Sequence, residues 1–286
     1  MPLDTRMVGQ RTRRFDQHVD ARWLMAYAAG LGDCNPRYMD TSAGRVAGHP
    51  LFPVCLEWPV ILSSRELDGS ENVTPEESAR GVHAAHDLHI FKPILADENY
   101  HTEAVIVGME AIRPGAAQTT RLDTFNAAGE LVSQTWQLGI SRGVAVTGEA
   151  TWVESPPPLP DFSDAEIEGK SRSIPVQEGF ANIYTETAKI FNPIHSDKAF
   201  ALNAGLPDII LHGTATLALA VSEIVSAYLQ DNPARVKRIG GRFSAMVLMP
   251  TTLELKVLAR QQDGVSFEVN NPDGTTVFSQ GYLMFE

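Results

Sequence analysis

The feature that most limits what this chain can fold into is that it repeats itself. Tyr27, Asn35-Pro36 and Asp40 recur as Tyr184, Asn192-Pro193 and Asp197, all at one offset of 157 residues. In the same register Asp33 corresponds to Ile190 and Tyr38 to His195. The match continues loosely downstream. Phe91 to Asp97 answers Ser244 to Pro250, and Gly129 to Gln134 answers Gly274 to Gln280 with one residue inserted. A motif, then an apolar helix, then strands, all in shared order, implies a duplicated domain.

The boundary between the copies is equally legible. Between Glu154 and Asp164 lie Pro156, Pro157, Pro158 and Pro160, which can continue neither a helix nor a central strand. Such a stretch reads as a stiff, extended spacer. The expected organisation is an N-terminal unit over residues 1–150, a Pro-rich linker over 151–170 and a C-terminal unit over 171–286.

Within each unit a helix comes first and strands follow. Asp20 is a good N-cap for Ala21 to Ala29, which stops at Gly30. Thr214 to Leu229 places Leu217, Val221, Ile224, Val225 and Tyr228 at helical spacing and is apolar around most of its circumference, so it should be buried. Its counterpart is Val54 to Leu67, made less regular by Pro59. Tyr100 to Ile112, Ala117 to Phe125 and Leu131 to Ser141 read as an antiparallel meander. Ile239 to Val247, Thr251 to Leu258, Val265 to Asn270 and Thr276 to Phe285 repeat it. A curved antiparallel sheet around one apolar helix buries both.

The 286 residues carry 23 Lys+Arg against 35 Asp+Glu, a net charge of −12. That balance argues against nucleic acid or an anionic membrane surface as a partner, because a phosphate backbone needs a basic face. With 43% hydrophobic and 20% charged residues the chain should fold as a soluble globular protein. Cys34 and Cys55 are too few for a disulfide framework. No signal-like N-terminus and no apolar run of spanning length is present, so the expected compartment is the cytoplasm.

Tyr184, Asn192-Pro193, His195 and then His212-Gly213 follow the type and order of a longer motif, Tyr, Ser-Gly-Asp-x-Asn-Pro-Leu/Ile-His and a Leu-His-Gly step into a central helix. In this the chain resembles the MaoC-like (R)-specific enoyl-CoA hydratase/dehydratase family. The resemblance covers nearly the whole chain. It implies an α+β double hot-dog: two antiparallel sheets, each wrapped around a central helix, packed as a pseudo-dimer, with a dehydratase-like half followed by a MaoC-like half.

For function the resemblance implies a lyase of the enoyl-thioester hydratase/3-hydroxyacyl-thioester dehydratase type. An Asp and a His would activate the water, and a backbone N–H at the start of the central helix would hold the thioester oxygen. His195 is then the acid/base, since an imidazole poised near neutral pH can serve. The Gly213 N–H is the oxyanion donor, and His212, Asn192 and Tyr184 are substrate-side candidates. One position departs from the family: the Asp that should stand two residues before Asn192 is Ile190. The first half has the reverse, with Asp33 kept and Tyr38 where the His belongs. Glu186 is the nearest substitute, because i and i+4 share a helix face.

Other candidates divide less clearly. His83, His86 and His89 invite a metal reading on a helix. On a strand, residues three apart face opposite sides, so no metal is expected. Arg235, Lys237, Arg238 and Arg242 are the densest basic cluster and suit the phosphates of coenzyme A. Coenzyme A would arrive as part of a small-molecule acyl-thioester substrate, with no separate cofactor. Family membership implies a homodimer. Two alternatives stay open: a catalytically degenerate acyl-thioester-binding or partner protein, and a hot-dog enzyme acting on a branched, aromatic or polycyclic substrate.

Overall fold

The computed structural model describes residues 2–71, 73–78 and 80–286. The first half runs β1 (Leu3–Asp4), β2 (Phe15–Val19), α1 (Ala21–Gly30), α2 (Pro36–Met39), α3 (Pro53–Ser63), α4 (Pro75–Ser78), β3 (Gly81–Ile90), β4 (Glu98–Ile112), β5 (Gly115–Asn126), β6 (Leu131–Arg142), β7 (Val146–Thr147) and β8 (Thr151–Trp152). The second runs β9 (Glu166–Val176), α5 (Phe180–Ala188), α6 (Lys198–Asn203), α7 (Gly213–Tyr228), β10 (Val236–Phe243), β11 (Thr251–Gln261), β12 (Gly264–Asn270) and β13 (Thr276–Phe285).

Among the described residues the long strands form one antiparallel sheet in the order β2-β4-β5-β6-β3-β10-β13-β12-β11-β9, with β8 added to β4. The order reads alike from either end, which is the signature of a pseudo-twofold axis between β3 and β10. The expected two sheets are therefore one. Each half would otherwise end in an unpaired strand edge, and pairing β3 with β10 removes both edges. Arg238 on β10 clamps this seam with two 2.8 Å hydrogen bonds to Asp87 on β3.

The concave face holds the two central helices. In α7, Leu217, Leu219, Val221, Ile224 and Val225 are buried, each contributing about 1.5–3 kcal/mol. The alanines between them allow the sheet to approach. The corresponding helix α3 stops at Ser63 rather than Leu67 and tightens into a 3-10 turn over Ser64–Glu66. It also buries Glu57, whose Oε1 accepts the Thr135 hydroxyl of β6 at 2.5 Å. Burial pushes the Glu57 carboxyl up to about 7.

The halves meet again through α1 and α5. The repeated tyrosines, Tyr27 and Tyr184, touch hydroxyl to hydroxyl at 3.2 Å. Trp23 Nε1 donates to the Thr187 carbonyl at 3.0 Å. Asp20 caps α1 by accepting from Trp23 N, as its sequence position suggested.

The linker boundary needs correction. Thr151–Trp152 belongs to the first sheet, where the Trp152 ring fills the space a side chain at Gly108 would need. At the other end β9 already begins at Glu166, inside the stretch read as spacer, because its strand partner β11 reaches that far. Between them the Pro-rich segment is tied down, with Arg238 donating to the Pro158 carbonyl at 3.0 Å. No helix among the described residues is long and apolar enough to cross a membrane.

Candidate active site

The site is built from the Asn-Pro turn outward. Asn192 accepts from Ile194 N and caps the 3-10 turn Pro193–His195; Asp197 then caps α6 by accepting from Phe200 N at 3.0 Å. The Asn192 side-chain oxygen is thus turned to the backbone of the turn. The turn presents His195 to the strand-like segment before α7. Its Nδ1 sits 2.8 Å from the Ile210 carbonyl. That bond makes Nδ1 the protonated nitrogen and leaves the lone pair on Nε2. Burial lowers the His195 pKa to about 4, against the opposing pull of the Ile210 bond, so the ring is neutral at pH 7.

His195 stacks on His212, with ring centroids 3.7 Å apart. His212 is buried; its Nε2 lies 3.3 Å from Thr185 Oγ1 and 3.4 Å from the Ile190 carbonyl. It orients the entry into α7. The first residues of that helix, Gly213 and Thr214, carry N–H groups with no acceptor earlier in the helix, the ready-made anion site of a helix N-terminus. Gly213 has no room for a side chain, because a Cβ there would lie 2.7 Å from the Phe243 ring. Phe243 thus requires a glycine at this position. Phe200, Leu202, Met246 and Leu248 are exposed apolar residues, and Leu248 bridges to Ile210 itself.

Several expected residues are not brought here. Glu186 is exposed on α5. The helix ends at Ala188 and Lys189 is left-handed at φ 57°, so Ile190 is off the helix and the shared-face argument fails. Ile190 itself is buried and apolar. Tyr184 is fully buried, donating to Thr214 Oγ1 at 3.2 Å, and serves the junction between the halves rather than a pocket. The basic cluster is dispersed by strand alternation. Arg238 is spent on Asp87, Arg235 and Lys237 pair with Glu286, and Arg242 lines a cleft with His86, Gln137 and Tyr282. The four do not form one phosphate anchor.

The sequence reading missed His49. Ala47 bridges to Leu95 as Ile210 bridges to Leu248, and Gly48 N bonds Ile94 O as Leu211 N bonds Val247 O, so His49 corresponds to His212. The signal was present in the repeat, hidden by an insertion after the Asn-Pro motif. A cavity of about 430 Å3 opens beside it, lined by Arg37, His49, Lys92, Leu95, Val236 and Lys237. Among the described residues no group of three or more His, Cys, Asp or Glu is placed to hold a metal ion.

A curved sheet around two helices, with a histidine stacked at the amino end of one of them, defines a double hot-dog protein. Residues 165–277 match the MaoC like domain model and residues 6–135 match the FAS1-like, dehydratase domain region. The second half thus carries a MaoC-like domain and the first half a dehydratase-like region. Over 256 residues it is 24% identical to enoyl-CoA hydratase 2, peroxisomal, of Arabidopsis thaliana, covering 81% of this chain and 79% of that protein. It is 31% identical over 150 residues to 3-hydroxyacyl-thioester dehydratase Y of Mycobacterium tuberculosis, about half of each chain (51% and 50%). The fold superposes on a MaoC-like dehydratase from Phytophthora capsici with a TM-score of 0.83 at 18% identity, covering 97% and 95% of the two chains.

Proposed function

We propose that the protein is a hydro-lyase of the enoyl-CoA hydratase/3-hydroxyacyl-CoA dehydratase type that works with His195 as its single acid–base group. The observation that carries this reading is the bond from His195 Nδ1 to the Ile210 carbonyl, which frees Nε2 beside the open N-terminus of α7. Water attacks C3 of the enoyl thioester while Nε2 takes its proton. The same imidazolium then returns a proton to C2 on the same face, so addition is syn and the balance is one water consumed. The Gly213 N–H and the helix dipole favour the enolate oxygen that develops between the two steps. Coenzyme A enters as part of the substrate. The relatives carry hydratase and dehydratase names, which agrees with this chemistry.

The test is turnover of crotonyl-CoA and longer trans-2-enoyl-CoAs, followed by loss of enoyl absorbance. His195→Ala should lower the rate by about 10²–10⁴. Undiminished turnover in that variant removes His195 from the role. Ile190 at the carboxylate position favours a second reading, an acyl-thioester-binding protein without turnover. Saturable binding of enoyl- or 3-hydroxyacyl-CoA with no conversion would select it.

A further inference from the structure

Three rings, one buried and two partly buried, lie one after another beyond Gly213. Phe243 covers Gly213, the His83 ring centroid lies 4.7 Å from that of Phe243, and His86 lies 5.3 Å from His83. Spacing alone put His83 and His86 on opposite strand faces. A β-bulge at the start of β3, between His83 and Ala85 in the ladder with β6, adds a residue and brings both rings to one side. The first half therefore projects two imidazoles toward the helix end that heads the His195 site in the second.

His86 has no hydrogen-bond partner in the protein, and His83 has one only at the Ala85 backbone. His86 is 1% exposed, and neither of its ring nitrogens has a hydrogen-bond partner; His83 Nε2 is also buried and unpartnered. Gln137 Oε1, from the residue paired with His86 in the β3–β6 ladder, is a third such group. A buried donor and acceptor left unmade are costly, and native structures rarely tolerate several together. Desolvation keeps both rings neutral, so His86 offers one N–H and one lone pair rather than a charge, and His83 offers its free Nε2.

The pseudo-twofold axis places this group at the site. The cavity beside His49 is walled on its far side by Val236 and Lys237 at the start of β10. The equivalent wall for His212 is the start of β3, where His83 stands.

We propose that His83 and His86 recognise a hydroxyl or carbonyl oxygen carried by the acyl chain, so that the substrate is an oxygen-bearing enoyl thioester rather than a plain fatty one. This rests on the hydro-lyase reading above. A neutral N–H and a neutral lone pair match a hydroxyl or a ketone.

The experiment compares 4-hydroxybut-2-enoyl-CoA with its near-isostere pent-2-enoyl-CoA. The wild-type protein should favour the hydroxylated substrate in kcat/KM by at least about tenfold, since a site built to bond a hydroxyl discriminates against its absence. His86→Leu should bring that ratio to near one, and His86→Gln should restore part of it. The melting temperature of each variant is measured alongside. If His86→Leu fails to fold, the same ratio is read in His83→Leu. A wild-type ratio near one, or a ratio unchanged in a folded variant, means that these rings bind water only and overturns the proposal. In that case His195-dependent turnover of pentenoyl-CoA leaves the hydro-lyase reading standing. No turnover of either substrate overturns both.

Discussion

In the second half a histidine follows Asn-Pro, ties its Nδ1 to the Ile210 carbonyl and stacks on His212. In the first half Tyr38 takes that place, 5.7 Å from His49 between ring centroids, with a buried hydroxyl that has no hydrogen-bond partner. Burial, with the charges of Asp33 and Asp231 adding to it, pushes the Tyr38 phenol well above its ordinary pKa. The backbones around the two rings make the same bridges, yet only one of the two rings is an imidazole. Duplication thus preserved the scaffold and let the chemistry separate. One copy has His195 with Ile190 before it; the other has Tyr38 with Asp33, whose Oδ1 accepts from Asn35 N at 3.1 Å.

The largest expected difference between the halves is catalytic. His195→Ala should cost about 10²–10⁴ in kcat/KM, whereas Tyr38→Phe at the corresponding point should leave turnover within about twofold. Enoyl-CoA hydration by the two purified variants checks this. Equal losses would mean that both halves contribute to one reaction and would dissolve the distinction.

The central helices differ next. Counting from His49 and His212 places Ala220 of α7 where α3 has Glu57. With its folded pKa at about 7 against 4.5, Glu57 favours folding only while protonated. That contribution is complete below about pH 4.5 and is lost as pH rises through about 7. Glu57→Gln, which keeps the acceptor for Thr135, should therefore stabilise the protein at pH 8 by up to about 3 kcal/mol and do little at pH 4.5. The histidines act in the opposite sense. His49 and His195, lowered by burial to about 3 and about 4, favour folding above pH 6.5, and that stability is lost as pH falls toward those values. Urea titrations at several pH values separate the two trends.

Supplying the absent carboxylate tests the comparison directly. His195 at about 4 sets the expected acid limb of kcat/KM, because the free Nε2 must be unprotonated to take a proton from water. In Ile190→Asp an anion near the stacked rings should raise that limb by about 1–3 pH units. A limb that does not move would show that position 190 does not sense the imidazole.

Much of this architecture could be read from the chain alone, for identifiable reasons. The repeat, the Asp20 cap, the α7 helix and the meanders rest on local periodicity and turn chemistry. The choice of His195 and of the Gly213 step into α7 rested on motif order. What could not be read depends on geometry that no local pattern encodes. One bulge reversed the face of His83 relative to His86. A single left-handed residue, Lys189, detached Ile190 from the helix carrying Glu186. Strand alternation dispersed four adjacent cations. The joining of the two sheets through β3 and β10 is a tertiary pairing with no signature in either strand.

The smallest effect lies on the pseudo-axis itself. Tyr27 and Tyr184 share one hydrogen bond, but only Tyr184 also donates to a side chain of its own half, Thr214 at the start of α7. The corresponding residue in the first half is Leu51, which offers no acceptor. Tyr27→Phe should cost about 0.5–1.5 kcal/mol, the net worth of one buried hydrogen bond. Tyr184→Phe should cost more, because it leaves both Tyr27 and Thr214 without that partner. The double variant should fall short of the sum, since the shared bond can be lost only once. Denaturation midpoints of the four proteins measure the cycle. Equal single losses would place the asymmetry of the halves in their chemistry alone and not in the packing that supports it.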